Sequence, residues 1–118
     1  MRPFRIAIAA VALLASSAAG AHAVLKSSDP AAGATLAAPP AQVALTFNEA
    51  LEPAFSSVTV LDAAGKSAVA GKARVDAAQP AIVRLETPAL RSGAYTVKWA
   101  VAGRDGHRRT GSFTFTVQ

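Results

Sequence analysis

With 118 residues, no cysteine and a formal charge of +5, the chain has room for one domain, and a disulfide framework or a thiolate metal site is excluded. Its basic side chains are scattered and not interleaved with aromatics, so the charge reads as ordinary surface and not as a nucleic-acid face.

The first 23 residues, MRPFRIAIAAVALLASSAAGAHA, differ from the rest. Arg2 and Arg5 form a short basic start, Ile6 to Ala15 is wholly apolar, and small residues follow. This is the layout of a secretory signal peptide, with an apolar core too short to span a bilayer as a mature helix. Two cleavage frames satisfy the small-residue rule. Ala19-Gly20-Ala21 makes His22 the first mature residue, whereas Ala21-His22-Ala23 removes that histidine and starts the chain at Val24. The chemistry of the histidines, below, favours the first frame, which divides the chain into a signal peptide (1–21) and one domain (22–118). Arg2 and Arg5 leave with the signal, so ten basic and seven acidic side chains remain, a charge of +3. No later stretch has membrane-spanning length, so the mature protein is expected to be exported and not membrane-embedded. A domain of this size is marginal by burial alone, so a bound metal could add stability.

Downstream, short segments alternate apolar and polar residues with a period of two, the pattern of strands with one buried face. Gln42 to Phe47 places Val43, Leu45 and Phe47 together, and Ser57 to Leu61 places Val58 and Val60 together. Asn48 to Phe55 could hold one helical turn, ended by Pro53. Ala81 to Glu86 pairs Val83 with Leu85, Ala94 to Ala102 aligns Tyr95, Val97, Trp99 and Val101, and Ser112 to Val117 aligns Phe113, Phe115 and Val117. Weaker candidates lie at Ala23 to Ser27 and Gly71 to Asp76. About seven strands, separated by turn formers such as Asp29-Pro30, Pro39-Pro40, Ala64-Gly65 and Ser92-Gly93, predict an all-β antiparallel sandwich or barrel. The aromatics Tyr95, Trp99, Phe113 and Phe115 read as core, and Glu52, Asp62 and Asp76 as solvated turns.

Two histidines occur, His22 and His107. A first-residue histidine offers its α-amine and its near ring nitrogen, which close a chelate ring around a metal. Cu(II) prefers nitrogen and oxygen donors in a tetragonal plane. His107 would supply a third nitrogen, and Asp105 a carboxylate. In an extended segment residues 105 and 107 project to the same side, and Gly106 allows a bend. Neighbouring first and last strands would bring His22 to them. Each part also has an ordinary explanation. Asp-Gly between strands is a common hairpin turn, and an N-terminal histidine can be an accident of cleavage.

The mature sequence resembles the CopC family of bacterial periplasmic copper-binding proteins. The resemblance lies in His22-Ala23-Val24-Leu25-Lys26-Ser27-Ser28-Asp29-Pro30-Ala31, Val43-Ala44-Leu45-Thr46-Phe47-Asn48-Glu49, Gly93-Ala94-Tyr95-Thr96-Val97-Lys98-Trp99, and Asp105-Gly106-His107 with Gly111-Ser112-Phe113-Thr114-Phe115. It implies a seven-stranded Greek-key β-sandwich or barrel, immunoglobulin-like or cupredoxin-like. It implies one Cu(II) ion per chain on His22, Asp105 and His107, with Glu49 where some members place an acidic group near the copper. It also implies a periplasmic role in copper homeostasis or resistance, with an inner-membrane CopD-type partner. Some members bind Cu(I) through a methionine-rich loop. Here Met1 is the one methionine, and the corresponding region, Asp62 to Asp76, has no soft ligand, so no Cu(I) site is expected. Two other functions fit parts of the sequence. One is a copper monooxygenase, which also begins with a histidine, although a carboxylate at Asp105 would occupy a position that oxygen chemistry needs open. The other is a metal-free immunoglobulin-like scaffold, because fold alone does not fix function.

Overall fold

The computed structural model describes residues 22–118; the expected signal peptide, residues 1–21, lies outside them. The strands are β1 (Leu25–Asp29), β2 (Thr35–Leu36), β3 (Gln42–Phe47), β4 (Ser57–Leu61), β5 (Arg74–Val75), β6 (Ile82–Glu86), β7 (Gly93–Ala102) and β8 (Arg108–Val117). They form two four-stranded sheets, ordered β1-β3-β6-β5 and β2-β8-β7-β4. All pairings are antiparallel except β2 with β8. Only β5–β6 and β7–β8 connect neighbours within one sheet, and every other connection crosses between sheets. The fold is therefore an all-β sandwich and not a closed barrel.

Eight strands stand where about seven were expected. The additional one, β2, has only two residues, too few to show a period. Strand β8 begins at Arg108, four residues before the expected start, because the ladder to β7 continues to the Ala102–Arg108 pair after the apolar alternation has stopped. The helical turn also differs. It is a 3-10 turn over Pro53–Phe55 that begins at the proline. A fixed φ and a missing N–H suit a first helical position, so Pro53 starts the turn where it was expected to end one.

The core lies between the sheets. Val43, Leu45 and Phe47 of β3, Val83 and Leu85 of β6, Val58 and Val60 of β4, and Tyr95, Val97 and Val101 of β7 are buried, as their alternation requires. Each fully buried aliphatic side chain contributes about 1.5–3 kcal/mol relative to exposure. Tyr95 stacks on Phe115 at 5.4 Å and donates its hydroxyl to the Arg91 carbonyl at 2.7 Å. Trp99 and Phe113, expected in the core, are partly buried and packed against it. The Trp99 ring lies edge-on to Phe47 at 5.2 Å and over Gly111, where a Cβ would collide with it. Among the described residues no helix is long and apolar enough to cross a membrane.

The turn carboxylates have local structural roles. Asp62 accepts the backbone N–H groups of Ala64 and Lys66. Asp76 accepts those of Ala78 and Gln79, and Arg84 Nε at 3.0 Å. The Arg84 hydrogen bond, then the two backbone bonds, hold the Asp76 carboxyl below its ordinary value. A depressed folded pKa stabilises at neutral pH, and that contribution disappears as pH falls through the acid range where the folded carboxyl takes its proton. Asp76→Asn is therefore expected to be less stable than the parent at neutral pH, with the gap closing below about pH 4. Urea unfolding between pH 2 and 7 checks this. A gap of constant size across that range refutes the assignment.

Registers place one set of chain segments at the same end of the sandwich. The start of β1 pairs with the end of β3 (Leu25–Phe47), the start of β4 lies beside the distal part of β7 (Ser57–Ala100), and the β7–β8 hairpin closes there (Ala102–Arg108).

Candidate metal centre

His22 lies three residues ahead of β1, at that end. A bulge between Leu25 and Ser27 shifts the β1–β3 register. Beyond it the pairing continues through Asn48, whose backbone N–H donates to the Val24 carbonyl at 3.0 Å. The side chain of Asn48 takes the Val24 N–H on Oδ1 at 2.8 Å and donates Nδ2 to the His22 carbonyl at 3.3 Å. Ala23 is buried in the core between these contacts, so the segment is fixed from both sides.

Asp105 and His107 lie in the β7–β8 hairpin. The Gly106 N–H donates to the Gly103 carbonyl at 3.0 Å, and Gly106 has φ +81°, a conformation that favours glycine. Residues 104–106 therefore form a turn and not the extended segment expected from the sequence. Asp105 and His107 converge by hydrogen bonding instead of strand alternation. The His107 N–H donates to Asp105 Oδ1 at 3.0 Å, and His107 Nδ1 lies 3.1 Å from Asp105 Oδ2. A carboxylate on one ring nitrogen orients the imidazole and leaves Nε2 for another partner. The His107 backbone N–H above all holds the Asp105 carboxyl below its ordinary value; lost hydration opposes it, and the neighbouring His107 and His22 rings each add a smaller lowering effect. Asp105 is thus an anion throughout the neutral range.

The structure brings His22 to this pair. Its ring centroid is 4.8 Å from that of His107, and one ligand atom from each of His22, Asp105 and His107 lies within 4.8 Å of the others. The route differs from the neighbouring-strand expectation. Strands β1 and β8 belong to different sheets and do not pair; the residues meet because both sheets end at the same place.

Three buried side-chain polar atoms have no hydrogen-bond partner among the described residues: His22 Nδ1, Glu49 Oε1 and Trp99 Nε1. An unpartnered buried polar atom costs about 1–3 kcal/mol, so each calls for a partner. Nδ1 is the ring nitrogen that would close a chelate with the α-amine of a first-residue histidine. The donor set of imidazole nitrogens and one carboxylate suits Cu(II) and offers nothing soft. Glu49 lies outside the three-residue cluster but close to it. A Cβ at Gly103 would collide with Glu49 Oε1 and meet Asp105 Oδ1 at 3.4 Å, so glycine there leaves room for both carboxylates. No motif or residue type singles out Asn48 or Gly103. Each acts through a contact that depends on strand register, and neither is of a ligand type.

Residues 25–118 match the family model of the CopC domain. The chain is 37% identical to copper resistance protein C of Pseudomonas syringae pv. tomato, over 96% of this chain and 94% of that protein. Its fold is similar to the crystal structure of CopC from Methylosinus trichosporium OB3b, with a TM-score of 0.78 and 39% identity over 82% of this chain and 94% of the other. It is also similar to PcoC, a methionine-rich copper resistance protein from Escherichia coli, with a TM-score of 0.73 and 33% identity over 82% and 99% of the two chains.

Proposed function

The chain belongs to the CopC family, and from that premise we propose that it is a periplasmic protein that binds one Cu(II) ion through His22, Asp105 and His107 and buffers or delivers copper. The observation that carries this reading is the convergence of these three side chains within 4.8 Å, with His22 Nδ1 buried and without a partner among the described residues. Export is expected to free the α-amine of His22, which then chelates together with Nδ1. His107 presents Nε2, its ring set by Asp105. Asp105 adds a carboxylate oxygen and a negative charge while the His107 N–H holds it in place. The bound ion is cargo, and the chain supplies a hard, nitrogen-rich cradle. Delivery to an inner-membrane partner of the CopD type is part of this proposal.

PcoC is described as methionine-rich, whereas Met1 is the one methionine here and falls in the expected signal peptide. That contrast supports a Cu(II) protein with no Cu(I) site.

Purified mature protein titrated with Cu(II) is expected to take up one equivalent and give a tetragonal, nitrogen-rich EPR spectrum. Its affinity should fall steeply between pH 7 and pH 5, because amine and imidazoles bind metal only when deprotonated. No uptake at neutral pH would overturn the reading and leave a metal-free scaffold. Ascorbate-driven oxidation of chitin or cellulose by the loaded protein would instead make it an enzyme.

A further inference from the structure

We propose that Asn48 is a positioning residue that sets the N-terminal ligand in its binding geometry before any metal arrives; the inference rests on the copper reading above. Processing at Ala21 would leave His22 at a free chain end, and chain ends fray unless tied down. A chelate formed by α-amine and Nδ1 needs the His22 backbone and ring held in one orientation, and disorder there would be lost at the moment of binding, at the expense of affinity.

Asn48 supplies the tie. Its side-chain amide bonds the His22 carbonyl and the Val24 N–H, and its backbone N–H bonds the Val24 carbonyl. The side chain therefore stands in for a peptide unit and continues the β1–β3 pairing past the end of the strands. The two amide contacts fix the peptide groups on either side of Ala23, itself 2% exposed. With those groups fixed, His22 keeps freedom only about its last backbone torsions and its own χ angles. Asparagine meets the requirement because it carries one acceptor and one donor on a short planar group. Aspartate has no donor for the His22 carbonyl. Neither contact involves a ligand atom, so Asn48 acts through the backbone of His22. It is itself exposed, and its loss opens no cavity.

The test is Asn48→Leu, close in shape but without hydrogen bonds. Ser56→Ala is the control, removing a side-chain bond to the Glu52 carbonyl and a long contact from the Ala102 N–H at the same end of the sandwich, neither of which touches the His22 segment. In the metal-free protein, Asn48→Leu is expected to speed hydrogen exchange of the Val24 amide while leaving core amides of β3 and β7 protected. Cu(II) affinity should fall about 10–100-fold, the range seen when outer-shell partners of metal ligands are removed. The EPR spectrum should broaden into more than one species, and Ser56→Ala should show none of these effects. Parent-like affinity and a single parent-like spectrum in Asn48→Leu would overturn the positioning role and leave the copper reading standing. Failure of the parent itself to bind Cu(II) would remove both.

Discussion

His107→Ala is expected to weaken Cu(II) binding about a thousandfold or more, roughly 4 kcal/mol. The substitution removes the third nitrogen of the proposed plane, and no other histidine follows residue 22. It also takes away the ring that lies 3.1 Å from Asp105 Oδ2, so the carboxylate loses a contact that positions it. The fold should survive. The His107 side chain is 62% exposed, its backbone bond to Asp105 needs no imidazole, and exposed substitutions of this kind usually change stability by no more than about 0.5 kcal/mol. Competition against a chelator of known Cu(II) affinity measures the first effect, and thermal unfolding of the metal-free variant measures the second. A variant that competes as well as the parent removes His107 from the site.

The second large effect concerns the first residue. A chain beginning at His22 should bind Cu(II) tightly. One that keeps Ala21 ahead of it should bind weaker by several orders of magnitude, because the α-amine has become an amide and the two-nitrogen chelate is lost. A chain beginning at Val24, the product of the alternative cleavage frame, should lose the site altogether, since it carries neither that amine nor that imidazole. The forms beginning at Ala21 and His22 should have closely similar metal-free stabilities, whereas the Val24 form gives up buried Ala23 and the bond from Asn48 to the His22 carbonyl and should be less stable. Mass spectrometry of the exported protein reads which form is made, and equal Cu(II) affinity among the three would exclude the terminal chelate.

Much of the fold was legible because the sandwich buries one face of each long strand, and burial writes a period of two into the sequence. Val43, Leu45 and Phe47, or Val83 and Leu85, cannot alternate in this way by helical packing. Strand β2 was not legible, since Thr35 and Leu36 form a strand only because β8 runs beside them. The early part of β8 carries Arg108, Arg109 and Thr110, which are exposed and hold to β7 through backbone bonds that leave no apolar mark. The candidate ligands were legible as residue types, since two histidines and an acidic neighbour are few enough to single out. How they meet was not. That depends on both sheets ending together, on Gly106 turning at φ +81°, and on a side-chain amide bonding backbone 24 and 26 residues away. No local pattern encodes contacts of that range.

The position of the three side chains has a mechanical consequence. His22 leads into one sheet, and the hairpin bearing Asp105 and His107 belongs to the other. An ion held between them is a reversible cross-link that encircles nearly the whole domain, placed where a cysteine-free chain has no covalent one. Closing so long a loop restricts the unfolded chain far more than the folded one, as a disulfide of that span would, on the order of 4 kcal/mol. Unlike a disulfide, this clasp would open if the proposed cargo were handed on, and each release of metal would then loosen the sandwich that carried it.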